Sequence, residues 1–148
     1  MARKIAIANQ KGGVGKTTTA LCLSAAFQLM RKKTLLVDLD AQGNASAAAG
    51  LIIEQESPTL KELLTGKAPP QDLIVATEFT DILPSNNSLK DIEKNLIEQN
   101  GYGRLKEGLA AVENMYDFIL FDCPPSFNVF TKNALAAADE YIVPVDVG

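Results

Sequence analysis

The sequence predicts a three-layer α/β fold, a mainly parallel sheet flanked by helices, and three observations carry the prediction. Apolar strand-like runs alternate with helical patterns along the chain, two of those runs end in an aspartate, and a glycine-rich loop directly follows the first run. Alternation of this kind implies right-handed crossovers, hence parallel strands with helices on both faces. At 148 residues and 47% apolar content the chain is sized for one domain, residues 1–148, around one core.

The elements follow in order. Residues 4–8 (KIAIA) form the first strand, and apolar residues recur at helical spacing over 16–30. Residues 34–37 (TLLV) are a continuous apolar run, suited to a strand buried on both faces, and deliver Asp38 at its end. A polar stretch, 41–46, precedes short helical patterns. Ser57-Pro58 offers a helix start before 59–64, and Gly66 a stop. Residues 73–76 and 81–83 read as brief strands joined by a turn, and 89–97 and 103–112 as outer helices. Residues 118–121 (FILF) repeat the earlier device and deliver Asp122, followed by the rigid turn Cys123-Pro124-Pro125-Ser126. A helix over 127–138 and a strand over 141–145 complete the pattern. That last strand is followed by only three residues and no covering helix, so the expectation is a fold whose C-terminal part is missing.

Composition removes several chemistries. The absence of histidine excludes a Ser-His-Asp or Cys-His nucleophile and any histidine metal site. Cys22 and Cys123 lie far apart without metal-ligand spacing and read as buried thiols. No stretch reaches the roughly 20 apolar residues of a membrane span, and the expected location is cytoplasmic. Fourteen Lys and Arg against eighteen Asp and Glu give a net charge of -4 without a dense basic run, so the chain carries no nucleic-acid footprint of its own. The remaining chemistry belongs to Lys, Asp, Thr and backbone amides.

Lys11-Gly12-Gly13-Val14-Gly15-Lys16-Thr17-Thr18 lies between the first strand and the first helix, where phosphate loops occur. Glycines let the backbone wrap a polyphosphate with its N–H groups pointing inward, and the positive end of the following helix adds attraction. Lys16 is placed for the β- and γ-phosphates, Thr17 for a Mg²⁺ ion that comes with ATP or ADP, and Thr18 for the α-phosphate. Gln10 stands where the ordinary pattern has its first glycine, and Lys11 follows. Asp38 and Asp40 are two apart and would share a face if the strand persisted, although strand termination and capping is the alternative role. Asp122 matches a carboxylate that holds Mg²⁺ through water, the alternative being a turn former before prolines.

The words NQKGGVGKTTT, DLDAQGNAS, ILPSNNSL, RLKEGL, DFILFDCPPS and NALAAADEYIVPV resemble, along the whole chain, the ParA/Soj partitioning ATPases of the deviant Walker A superfamily, P-loop NTPases that also include MinD. The resemblance implies that Lys11 reaches the partner's phosphates across a nucleotide-sandwich homodimer. It also implies that Asp40 orients the attacking water and that Asp38 supports the magnesium shell or the loop lysine. Ala41 and Ser46 replace the family's usual proline and threonine.

The implied cycle is ATP-driven dimerisation, DNA binding without sequence preference, and hydrolysis triggered by a ParB/Spo0J-type activator, with no membrane partner and nucleoid association of the complete protein. DNA contacts would lie in the missing C-terminal part, so residues 1–148 are expected to bind nucleotide weakly and DNA hardly at all. The strand starting just after Met1 resembles the short chromosomal Soj type. A MinD-like membrane-associated ATPase and a metabolic or metallocluster ATPase on the same scaffold are the alternatives, and Gln42-Gly43-Asn44 favours partitioning over MinD.

Overall fold

The structure, a computed structural model, describes residues 1–147. Six strands, β1 (Arg3–Ile7), β2 (Thr34–Asp38), β3 (Val75–Ala76), β4 (Asp81–Leu83), β5 (Phe118–Asp122) and β6 (Glu140–Ile142), form one sheet in the order β3-β4-β2-β5-β1-β6. Every pairing is parallel except that of the edge hairpin β3–β4. Helices α1 (Lys16–Leu29) and α2 (Asn44–Ala48) cover one face; α3 (Leu60–Leu64), α4 (Glu93–Glu98), α5 (Arg104–Leu109) and α6 (Val129–Ala137) cover the other. The three-layer, mainly parallel architecture expected from the sequence is present.

Side-chain alternation sorts each strand between the two cores. Ile5, Ile7, Leu36, Ile82 and Leu120 pack with Ala20 and Ala45 beneath α1 and α2. Ala6, Leu35, Val37, Leu83, Ile119 and Phe121 face the larger core under α3 to α6. Strand β5 sits between β2 and β1 in a register that sets Asp122 opposite both Asp38 and Ile7. Asp38 and Asp122 therefore continue the α1 face, at the carboxyl ends of neighbouring strands. This crevice is where open α/β sheets place their ligands.

Local chemistry explains where elements depart from the expected bounds. Helix α3 starts at Leu60 because Thr59, not Ser57-Pro58, caps it. Lys61 N donates to Thr59 Oγ1 at 3.3 Å and Thr59 N to Glu62 Oε2 at 2.9 Å, a reciprocal capping box. Helix α6 starts at Val129 because the Asn128 side chain accepts from Phe130 N and Thr131 N. The expected helix over 89–97 divides into a 3₁₀ turn, Asn87–Ile92, and α4. Strand β6 stops at Ile142, short of 145: Pro144 has no N–H to offer, and its carbonyl accepts from Asn9 Nδ2 at 2.8 Å. Cys22 is a correction. It is exposed, because the buried positions of α1 are Lys16, Ala20 and Ser24, and Cys22 lies midway between the last two on the outer face.

Candidate functional site

Strand β1 ends at Ile7, and the chain then turns through Asn9 to Gly15 before α1 begins. The turn is pinned by Lys11 N donating to Asn9 Oδ1 at 2.9 Å. Gly15 occupies the N-cap of α1 at φ 87, a left-handed conformation that costs glycine little and places the first free N–H groups of a 14-residue helix beside the loop. Lys16 is buried, and its Nζ donates to the Lys11 carbonyl oxygen at 2.9 Å, so the charge is held inside the curve of the loop. The loop and its surroundings enclose a cavity of about 380 Å³ lined by Gly12, Gly13, Gly15, Lys16, Thr17, Thr18, Asp40, Asn44, Cys123 and Pro125.

Beneath that cavity Thr17 Oγ1 donates to Asp122 Oδ2 at 2.7 Å, while Asp122 Oδ1 is buried and has no hydrogen-bond partner. Burial raises the Asp122 carboxyl to about 7; Asp38 and Asp40 push the same way, while the Thr17 hydroxyl and Lys16 oppose the rise. A buried carboxylate with one satisfied and one orphaned oxygen, next to a threonine hydroxyl, is a donor set that a hard cation would complete. Among the described residues no three His, Cys, Asp or Glu side chains converge to hold a metal. A cation here therefore depends on further oxygens from water or a ligand.

Asp38, fully buried, is raised to about 6 by burial, against the lowering effect of its hydrogen bonds from Ser46 and Asp40. Its Oδ1 accepts from Asp40 N at 3.1 Å; its Oδ2 accepts from Ser46 N at 3.0 Å and Ser46 Oγ at 2.7 Å. The strand does not persist to Asp40. The chain leaves the sheet after Asp38, and Asp38 acts as the knot that fixes segment 39–46, while Asp40 reaches the cavity wall. Asp40 Oδ1 in turn accepts from Gln42 N at 3.0 Å.

The structure thus gathers Gly12, Gly13, Gly15, Lys16, Thr17, Thr18 and Asp40 around one cavity, with Asp122 and Asp38 below it. Val14 lies in the loop but off the cavity wall, and the side chain of Lys11 is exposed. Asn44, Cys123 and Pro125 also line the cavity. Asn44 was signalled only by its place after Gln42-Gly43, and the other two by their place after Asp122. Burial pushes the Cys123 thiol up to about 12, which leaves it a neutral wall group. Ser46 was signalled only as the residue standing where the resemblance has a threonine; its bonds to Asp38 had no local pattern, because a serine hydroxyl acquires partners through tertiary approach.

A phosphate-type loop between β1 and α1, with an aspartate closing the adjacent strand β5, defines the P-loop class of nucleotide-binding α/β proteins. Residues 2–148 match the family described as AAA domain, and the chain belongs to it as a ParA/Soj-type member. It is 42% identical over 146 residues to the chromosome partitioning protein ParA of Myxococcus xanthus, covering 97% of this chain and 52% of that protein. It is also 42% identical over 148 residues to the sporulation initiation inhibitor protein Soj of Bacillus subtilis, covering 98% and 58%. The crystal structure of cobyrinic acid a,c-diamide synthase from Mycobacterium smegmatis with bound ADP and magnesium superposes with a TM-score of 0.95 at 38% identity, over 98% of this chain and 60% of that one. The chain spans about half the length of the relatives it matches.

Proposed function

We propose that this chain binds Mg²⁺-ATP and Mg²⁺-ADP at the phosphate loop and belongs to an ATP-hydrolysing switch for chromosome or plasmid partitioning, with residues 1–148 forming a single nucleotide-binding domain. The observation that carries the reading is the Thr17–Asp122 contact under the loop, with the second oxygen of Asp122 buried and unpartnered. Magnesium, when bound, neutralises phosphate charge; Thr17 and Asp122 are the residues that would hold it, with Asp38 fixing the neighbouring segment. Lys16 exchanges the Lys11 carbonyl for β- and γ-phosphate oxygens, and the amides of residues 12–18 supply the remaining donors. Asp40, on the cavity wall and partly exposed, orients the attacking water; the bond from the γ-phosphorus to the bridging oxygen breaks, leaving ADP and phosphate.

Lys11, exposed at the rim, is available to the phosphates of a second copy, which supports a nucleotide-sandwich homodimer. A ParB/Spo0J-type activator and non-specific DNA are the partners proposed for the whole protein, with nucleoid association following from the latter. No helix among the described residues is long and apolar enough to cross a membrane. The likeness to a cobyrinic acid diamide synthase favours, as second reading, a metabolic ATPase on the same scaffold.

Titration of the chain with a fluorescent ADP analogue, with and without Mg²⁺, tests the site: Mg²⁺-dependent binding is expected, and affinity unchanged by removing the metal would overturn the roles given to Thr17 and Asp122. Stimulation of the whole protein's hydrolysis by non-specific DNA and the activator supports the switch. Turnover coupled only to a small-molecule amidation supports the metabolic reading.

A further inference from the structure

Asp40 lies beyond the end of β2, in a segment that the sheet ladder no longer supports. What supports it comes from the neighbouring strand, β4. At the carboxyl end of β4, Ser85 Oγ donates to the Asp40 carbonyl oxygen, and Ser85 N donates to Ser46 Oγ at 3.2 Å. Ser46 Oγ itself donates to Asp38 Oδ2, so one residue grips the segment at both ends, Asp40 and Ser46, while Asp38 holds it from below. The fit is tight from the other side as well. Gly43, at φ 66, approaches so closely that a Cβ there would stand 3.0 Å from the Ser85 carbonyl oxygen. Gly43 N also donates to the Asp40 carbonyl at 2.8 Å, so that oxygen accepts two hydrogen bonds and fixes the peptide that follows Asp40. Ser85 is buried, and its hydroxyl has no solvent-facing task to perform.

We infer that Ser85 is a positioning residue for Asp40: its hydroxyl sets the reach of the 40–46 segment over the phosphate loop, so that the segment registers whether a γ-phosphate is present. The inference rests on the site reading above. Through this grip, displacement of segment 40–46 is passed to β4, on the opposite side of β2 from the loop-bearing strand β1.

Hydrogen exchange of the chain, followed by mass spectrometry over residues 40–47 with Mg²⁺-AMPPNP and with Mg²⁺-ADP, tests it. The wild-type chain is expected to show slower exchange with the triphosphate analogue. Ser85→Ala should bind both nucleotides within about twofold of wild type, yet lose most of the triphosphate-specific protection, since one neutral hydrogen bond changes an ordered population by a factor of about five. Ser85→Thr, which keeps the hydroxyl, should restore it, and Gly43→Ala, which leaves Ser85 intact but forces the segment away, should reproduce the loss. A wild-type response from both Ser85→Ala and Gly43→Ala overturns the inference alone, as does a failure of Ser85→Thr to restore protection. A wild-type chain that binds neither nucleotide overturns the site reading beneath it.

Discussion

The two ends of the same sheet treat charge in opposite ways. At the amino ends of the strands, ionised groups are partnered: Arg3 forms a two-pronged hydrogen bond with Glu140, Lys4 Nζ meets Glu113 Oε1 at 2.8 Å, and Lys33 N donates to Asp117 Oδ2 at 2.8 Å. At the carboxyl ends, Asp38 and Asp122 are buried side by side, neither in an ion pair among the described residues, and burial raises both carboxyls against the opposing pull of Lys16 on Asp122. The first arrangement secures the fold. The second leaves an electrostatic deficit that a cation or a phosphate-bound metal would relieve. Stability and function are thus sorted to opposite ends of single strands: Asp117 just precedes β5 and Asp122 closes it.

The largest test of this contrast is Lys16→Ala, which removes the cation nearest the deficit: affinity for Mg²⁺-nucleotide should fall by about a hundredfold or more, read by titration. Asp40→Ala should keep nucleotide binding while slowing hydrolysis by roughly ten- to a hundredfold, read as phosphate release, because it changes the water's orientation and not the cradle. The third test concerns pH. Asp38 and Asp122 keep their protons in the fold where the unfolded chain, with ordinary carboxyls near 3.8, has lost them. The folded state therefore binds more protons, and stability should fall as pH rises from about 4 through about 7. Asp122→Asn should flatten that slope and raise the melting temperature at pH 8 by roughly 5 °C, while weakening the metal dependence of nucleotide binding. At the other end, Glu113→Ala leaves Lys4 half-stranded in a partly buried site and should cost about 1–2 kcal/mol in denaturant unfolding, without touching nucleotide affinity. Arg3→Ala, at an exposed pair, should cost under about 1 kcal/mol. A Glu113→Ala chain with impaired nucleotide binding would show that the two ends are not independent.

How legible each end was in the sequence follows from the range of the interactions involved. The phosphate loop was plain because its chemistry needs glycines and a lysine at fixed short spacing. Asp122 and Asp38 stood out because continuous apolar runs announce buried strands and what ends them. The Thr59-to-Glu62 capping box was also written locally, three residues apart, yet Pro58 drew the helix start too early. Helix α2 begins at Asn44, inside the stretch 41–46 read as polar, because five residues give too short a pattern for periodicity to fix a start. Cys22 was misplaced because apolar residues recur all around α1, and the sequence alone did not tell which face the sheet would take. The grip of Ser85 on the segment carrying Asp40 joins residues 45 apart in sequence, and no local pattern encodes it.

The antiparallel hairpin at β3 carries a consequence of its own. It closes one margin of the sheet with a two-residue strand, whereas β6 leaves the other margin open, with Tyr141 and Val143 exposed beside it. The parallel pairing of β6 with β1 fixes a polarity: a strand laid parallel to β6 would bring its carboxyl end to the flank of Asn9 and Gln10, beside the phosphate loop.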